Sequence, residues 1–539
     1  MAVQFLLTSN FFEMKLFKSI IMGLPAAAIL LSSCGKFLDI NQNPNKSTTE
    51  NSPSPENILQ QAITYTASNI SAFNTYGAEI GGYAANAGGY GGFGSNVTYQ
   101  FSTEDFAGLW TDSYNSLEDY QAIIDQTVGD SSYNYFHAAS LIMKVFTMQL
   151  LVDTYNDVPY SQALTGDKYL TPVYDKAEDI YKDLALTLDT AINLINTAQS
   201  AADIASSDIL FNGDMTKWKQ FANTIKLRLI LRGGDKVSFA NKTFSDDGFL
   251  QQDAIVNPGY VRDNGKQNPK WNSWAYTYTG GAGNAAWIPT KFILAYFNGT
   301  KLQDPVRGKA SFYKFPDVAV NQLGNGTSDV PKSPTGTPWY SGSDRDGSSA
   351  GASIGILKGP DMGMPLMLAA ESYFLQAEGA LKGLVGTTSE AKEDFEKGIK
   401  ASFNYLYTLP SGNLASGTDV NSYFQTYQSD NKNSYLVNFD LAKSSDEKLE
   451  AIITQKYIAV NFINSEEGWY EYRRTKYPKL NYVSGSKGAT ETFASIASAS
   501  TLPDKLPARI LYPNSEYSYN APNVPGGITA FGKGIFWAK

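Results

Sequence analysis

Apolar residues recur at helical spacing along much of this chain. Ala177, Ile180, Tyr181, Leu184, Leu188, Ala191, Ile192 and Ile195 fall on one stripe, which predicts an amphipathic helix over 174–195. Asp175 and Glu178 stand three apart at its start, an acidic version of a capping box. Trp218, Phe221, Ala222, Ile225 and Leu229 predict a second helix over 217–232, ended by Gly233-Gly234. Residues 364–384 carry Ala370, Tyr373, Phe374, Ala377, Ala380 and Leu381 at the same period. After a turn at 383–386, Thr387 and Glu390 cap a helix that buries Ala391, Phe395, Ile399, Phe403 and Leu406. A last strong helix is predicted over 447–464. The reading is a mainly α body. Strand–helix alternation, the signature of a βα barrel, is absent.

Between these helices lie polar stretches at 76–94, 253–283 and 313–355. They are too long for ordinary connections, and loops of that length are usually functional or disordered. Their aromatic content argues against disorder. The first holds Tyr83, Tyr90 and Phe93 on a glycine-rich backbone that lacks the Lys-Ser/Thr ending of a phosphate loop. A second aromatic set is Trp271, Trp274, Tyr276 and Tyr278 with Trp287 just beyond the second stretch, and the third stretch holds Trp339-Tyr340. Sugar rings have apolar C–H faces and polar edges, so they stack on flat aromatics while amides bond their hydroxyls. Asn86, Asn272 and Asn284 stand nearby in sequence. These aromatics are the candidate ligand platform, with loop packing as the competing use of any one of them.

The N-terminus changes the picture. Lys15 and Lys18 precede an apolar stretch over 20–31, and Leu31-Ser32-Ser33-Cys34-Gly35 follows. Basic, apolar and small residues in that order predict a secretory signal, too short to span a bilayer. A Cys after two small residues is the processing site of a bacterial lipoprotein. Cys34, the only cysteine, would be acylated, palmitate being the natural label. Met14-Lys15-Leu16 would open such a signal by itself. The expected organisation is a signal peptide at 1–33, a lipidated tether at 34–55 and one helical ectodomain at 56–539. No later apolar run is expected to approach the length of a membrane span, so acyl chains would hold the body to the bilayer.

Net charge is −9, which argues against nucleic acid and anionic membrane surfaces as partners. Charged residues are only 18%, so polarity rests on Asn, Ser, Thr, Gly and Tyr, which suits neutral polar ligands. Catalytic chemistry finds little to work with. His137 is the one histidine, so a Ser-His-Asp triad would have to use it, and it reads as a helix-flank residue. One His and one acylated Cys leave no zinc set. Glu466-Glu467 cannot flank one glycosidic bond from adjacent helical positions, and they read as helix-surface charges. Asp344-Arg345-Asp346-Gly347 resembles part of a calcium loop, but Gly342 and Ser353 occupy required ligand positions. Asp153, Asn156 and Asp157 read as a helix-terminating turn rather than a metal site. No cofactor, metal or catalytic residue is expected.

Several segments together resemble the SusD/RagB-like nutrient-binding lipoproteins, in the branch with an Asn-Pro-Asn tether. They are Cys34 with 39–45 (DINQNPN), 153–160 (DTYNDVPY), 172–175 (PVYD), 218–228 (WKQFANTIKLR), 370–378 (AESYFLQAE), 469–474 (WYEYRR) and 509–513 (RILYP), in family order. The resemblance implies a SusD-like fold with tetratricopeptide-like helix pairs supporting a loop-rich ligand-binding face. The alternation of small and aromatic residues at 364–407 fits such pairs, as divergent hairpins without a clean repeat. It implies an outer-membrane, cell-surface protein that binds oligosaccharide without cutting it and serves a SusC-like TonB-dependent transporter. Peptide capture within the same family is the alternative, and a lipid-anchored glycoside hydrolase the less favoured one. Trp218, Phe221, Tyr373 and Trp469, which carry the resemblance, read as helix packing.

Overall fold

In a computed structural model, residues 53–333, 339–340, 353–481 and 488–539 are described. The signal, Cys34 and the start of the tether lie outside them, as does the calcium-like segment at 344–347. Residues Pro55–Lys539 form one compact unit.

Its first half is built from α1 (Pro55–Ile80), β1 (Ala84–Asn86), α2 (Gly94–Thr98), α3 (Ala107–Thr127), α4 (Asn134–Tyr155), β2 (Val158–Pro159), β3 (Tyr174–Asp175), α5 (Ala177–Thr197) and α6 (Met215–Gly233). There follow β4 (Ala254–Val256), α7 (Pro269–Trp274), β5 (Trp287–Pro289), α8 (Lys291–Leu294), α9 (Pro305–Ser311) and β6 (Met364–Met367). The last part comprises α10 (Ala369–Leu381), α11 (Glu390–Tyr407), α12 (Val420–Asp430), α13 (Ser445–Ala459), α14 (Ser465–Thr475) and α15 (Asn514–Tyr519). The long helices pack as a closed circuit. Helix α1 lies on α3, α3 on α4, α4 on α5, α5 on α6, α6 on α10, α10 on α11 and α13, α13 on α14, and α14 returns to α1. This is the helix-pair scaffold the sequence predicts. The strands make three two-stranded antiparallel pairs: β1–β5, β2–β3 and β4–β6.

The amphipathic stripes decide which faces go inside. The apolar set of α5 is buried from Ala177 to Ile195, and that of α11 from Ala391 to Leu406. The start of α5 differs from the expected capping box. Lys176 is the cap residue and offers no side-chain bond, while the Asp175 carboxylate accepts from the backbone N–H groups of Tyr160 and Ser161 at 2.9 and 2.8 Å. Asp175 ties the preceding turn instead of the helix. Asp214 caps α6, and Ser444 with Glu447 forms the capping box of α13. The segment at 364–367 is a strand rather than the first turn of a helix, because it pairs with β4.

One expectation is corrected outright. The segment Ser131–Tyr155 is apolar and long enough by composition to cross a membrane, yet 78% of its most apolar window is buried inside the protein. It is the helix that α3, α5 and α6 pack around, so its apolar surface faces protein on most sides.

The interior also holds charge. Arg228 reaches Glu371 and Glu467 at 3.2 Å each, and Arg232 reaches Asp153 at 2.5 Å and also Glu467. Lys456 reaches Glu467 at 3.2 Å and Glu471 at 3.0 Å, and Arg474 grips Glu378 and Glu471 at 2.6 and 2.5 Å. Burial alone would raise the pKa of Glu467, but Arg232, Arg228 and Lys456 override it and hold the carboxyl far below its usual range. Glu466 and Glu467 are therefore not helix-surface charges: both are 2% exposed. Helix α14 lies between α1 and α13, so it has little solvent face. Trp218, Phe221 and Trp469 are core, as read from sequence, while Tyr373 is half-buried.

Candidate functional site

A cleft of about 280 Å³ opens where the β1–β5 ribbon meets the loop at 324–330. Strand β1 pairs Ala84 with Pro289 and Asn86 with Trp287. Beyond it the chain stays pinned, because Ala87 N–H donates to Ala286 O and Gly88 N–H to Pro331 O, each at 2.7 Å. Gly88 is required by this approach, since a Cβ there would lie 2.2 Å from Val330 O. Asn86 is the central fastener. Its amide donates to Asn325 O at 2.8 Å and its carbonyl accepts from Gly324 N–H at 2.8 Å. Asn321 donates to Asn86 O and Asn325 O at 2.9 and 3.0 Å.

Tyr90 and Phe93 supply rings to the lining, with Val97 and Val330, while Asn86, Asn325 and Thr327 supply amides and a hydroxyl. Tyr90 is 48% exposed. Phe93 is half-buried, and the edge of Trp287 supports it from behind at 5.3 Å. Among the described residues that line it, none carries a charged side chain. The wall formed by α2 is fixed to α1 by a bond from the Asn96 amide to the Glu79 carboxyl. Burial raises the pKa of Glu79 to about 8, with the Asn96 amide working against the shift.

Most of the other candidate aromatics are interior groups. Tyr83 is fully buried, donates to Tyr457 O at 3.0 Å and stacks on the Tyr457 ring. Tyr340 donates to Tyr83 O at 2.8 Å and lies flat on Phe462 at 3.7 Å. Trp271 and Trp274 are buried on α7, and Trp274 bonds Thr75 Oγ1 at 3.0 Å and meets Phe462 edge-on. Tyr276 packs against Trp271, and Trp339 against Tyr313. Trp287 is 9% exposed, so it supports the cleft without fronting it. Tyr278 is 43% exposed but is not in the cleft lining. Of the three amides noted in sequence, Asn86 lines the cleft, whereas Asn272 and Asn284 are engaged by Gln267 and by Ala286 N–H. Of the candidate platform aromatics, Tyr90 and Tyr278 are exposed and Phe93 and Tyr276 half-buried, and only Tyr90 and Phe93 line this cleft. The physical reason is that these loops fold back on the helices and find cover in Phe462, Tyr457 and one another.

Sequence reading did not single out Asn325 and Thr327. Gly324-Asn325-Gly326-Thr327 is a turn signal inside the 313–355 stretch, but it carries no ring, and the rings drew the reading to Trp339-Tyr340.

The residues considered for catalysis are engaged elsewhere. His137 is half-buried and its Nδ1 lies 3.1 Å from Thr127 Oγ1. Asn156 takes φ 70° just past the end of α4, which is the helix-terminating turn expected there, and Asp153 faces Arg232 in the core. Among the described residues no group of three or more His, Cys, Asp or Glu side chains could hold a metal ion.

Solved structures with this architecture include a SusD homologue from Bacteroides uniformis, 24% identical with a TM-score of 0.64, covering 89% of this chain and 99% of its own. A chitin-binding SusD homologue from Flavobacterium johnsoniae is 25% identical with a TM-score of 0.62, covering 89% and 98%. A SusD/RagB family protein from Bacteroides thetaiotaomicron is 22% identical with a TM-score of 0.63, covering 90% and 99%. No curated protein sequence matches the chain. The SusD-like family model, described as starch-binding and associating with the outer membrane, matches residues 44–513. A match over that much of the sequence, on a scaffold of packed helix pairs, makes this chain a member of the SusD-like family.

Proposed function

We propose that this protein is a cell-surface, outer-membrane lipoprotein that captures glycan nutrients without cutting them and passes them to a SusC-like TonB-dependent transporter. The observation that carries the reading is the uncharged cleft at Tyr90. A sugar presents an apolar ring face and a rim of hydroxyls. Tyr90 offers the first a flat, accessible ring, and Asn86, Asn325 and Thr327 offer the second neutral donors and acceptors. Neutral partners suit hydroxyls, because they bond without imposing the desolvation cost of a charge. Phe93, held edge-on by Trp287, gives the ring wall a fixed position. The chitin-binding relative lends support to a carbohydrate ligand.

The lipid anchor rests on Cys34 after its signal-like segment. Palmitate labelling of cells should mark the wild-type chain and leave Cys34→Ala unlabelled, and label on the variant would refute the anchor. A glycan and peptide array decides the ligand class. Binding to glycans, lost in Tyr90→Ala, supports the proposal, whereas binding to peptides alone overturns it. Chromatography of a bound glycan after prolonged incubation should return it intact. Product exceeding the amount of protein would make the chain an enzyme.

A further inference from the structure

The whole chain carries a net charge of −9, yet one cleft reverses that sign. It has a volume of about 340 Å³ and lies between the end of α14 and the segments at 502–508 and 532–539. Lys236, Arg473, Lys476, Lys533 and Lys539 line it, and Asp504 is the one acidic side chain in the lining. Asp504 is already engaged by the Tyr472 hydroxyl at 3.0 Å, Leu506 N–H at 3.2 Å and Lys476 at 3.4 Å. The lining side chains thus hold five cationic groups against one anionic group.

Arg473 is the group that needs an explanation. It is 2% exposed, and the rings of Trp469, Tyr470 and Trp537 surround its guanidinium at 5.2, 5.1 and 5.0 Å. Nη2 donates to Asp153 O at 2.7 Å and Nη1 to Ala508 O at a long 3.4 Å, while Nε has no hydrogen-bond partner. Among the described residues it forms no ion pair. Its sequence neighbour Arg474 pairs with Glu378 and Glu471, and buried Arg228, Arg232 and Arg307 each have a carboxylate. Buried Arg509 also lacks one, but it is not part of this lining. Arginine does not deprotonate in proteins, so the charge cannot be shed. A buried charge without a counter-ion is costly, and an anion in the adjoining cleft would remove that cost.

We propose that this cleft is a second ligand site, which binds a small oxyanion, a carboxylate or sulfate group, through Arg473 with Lys236 and Lys533 at its mouth. The two lysines are exposed and their charge draws the anion in. The planar fork of Arg473 is held beside the cleft by three rings and by two backbone carbonyls that take up its Nη groups, so its charge is fixed in place there. The volume lies at the low end of small-molecule sites, roughly 300–1,000 Å³, which suits one acidic ring or one anionic substituent. The cleft shares no lining residue with the one at Tyr90, so the two sites stand or fall separately.

Calorimetric titration of the full-length protein in detergent with sodium glucuronate, sodium sulfate and glucose tests this. Glucuronate or sulfate should bind about tenfold or more tighter than glucose, and binding should weaken as salt rises. Lys236→Glu with Lys533→Glu should weaken it by about tenfold or more without moving Tm, because both side chains are exposed. Arg473→Lys keeps the charge and loses the fork, so it should also weaken binding. Tyr90→Ala should leave oxyanion binding intact, which separates failure here from failure of the glycan cleft. Glucuronate binding without sulfate would assign a carboxylate ligand, and the reverse a sulfate ligand; both support the site. If neither anion binds better than glucose, or the double variant binds them like wild type, the proposal is wrong.

Discussion

Between α6, α10, α13 and α14, Arg228, Arg232, Glu371, Lys456, Glu467, Glu471 and Arg474 lie packed together and nearly sealed from water. The described residues that line the cleft at Tyr90 carry no charge, although the cleft opens to solvent. The two regions place polarity in opposite ways. In the helical interior, ions are tolerable because each has partners of opposite sign from a different helix, and this ties the circuit of helices into one register. At the loop face, the polar groups are amides and hydroxyls, and several already fasten the loops together. Asn86 shows the economy of that arrangement: it lines the cleft and also holds the loop at 324–325 in place. Changes in the interior should therefore reach stability, and changes at the face should reach binding.

The largest effect should come from removing a shared carboxylate. Glu467→Ala leaves Arg228, Arg232 and Lys456 short of an anion, and should cost about 3–5 kcal/mol in chemical denaturation. An unchanged midpoint would mean the network is not holding the helices. Phe395→Ala, at a fully buried ring between Phe374 and Phe439, should cost a comparable ~3–5 kcal/mol while leaving the affinity of the folded protein for glycan unaltered. Gly88→Ala sharpens the comparison, because it is a packing change at the face. The new methyl meets Val330 O, so stability should fall by about 1–3 kcal/mol and glycan affinity should fall with it. Tyr90→Ala should lower glycan affinity by roughly 1–3 kcal/mol, taking stacking of bases on aromatics as the nearest analogue, with Tm unchanged. Calorimetry on both variants distinguishes a site from a mere surface ring.

The smallest effect is a pH dependence. Burial lowers the pKa of His137 below 6.5, with the bond to Thr127 opposing it. The unfolded chain therefore takes up this proton first as pH falls, and stability is lost below pH 6.5 until the folded-state pKa is passed. His137→Gln should flatten that part of the stability profile. As the chain has one histidine, its proton resonances give the folded pKa directly, and a value above 6.5 would reverse the prediction.

The helices were legible in the sequence because their signal is local and repeated. The stripes at 174–195 and 364–407 each report on a few neighbouring residues. The ordered series of short segments from Cys34 to Tyr512-Pro513 identified the family for the same reason. Burial of the loop aromatics was not legible. Trp274 is covered by Phe462, nearly two hundred residues away, and Tyr340 bonds Tyr83 across 257 residues of chain. Glu467 looked like a surface charge because its partners Arg228, Arg232 and Lys456 come from other helices. By itself the sequence determined which segments coil, which faces are apolar and which lineage the chain belongs to, since periodicity and motif order are written in consecutive residues. Only the tertiary structure decided which rings are left for a ligand and which charges neutralise one another, because cover and counter-charge are supplied by residues distant in the chain.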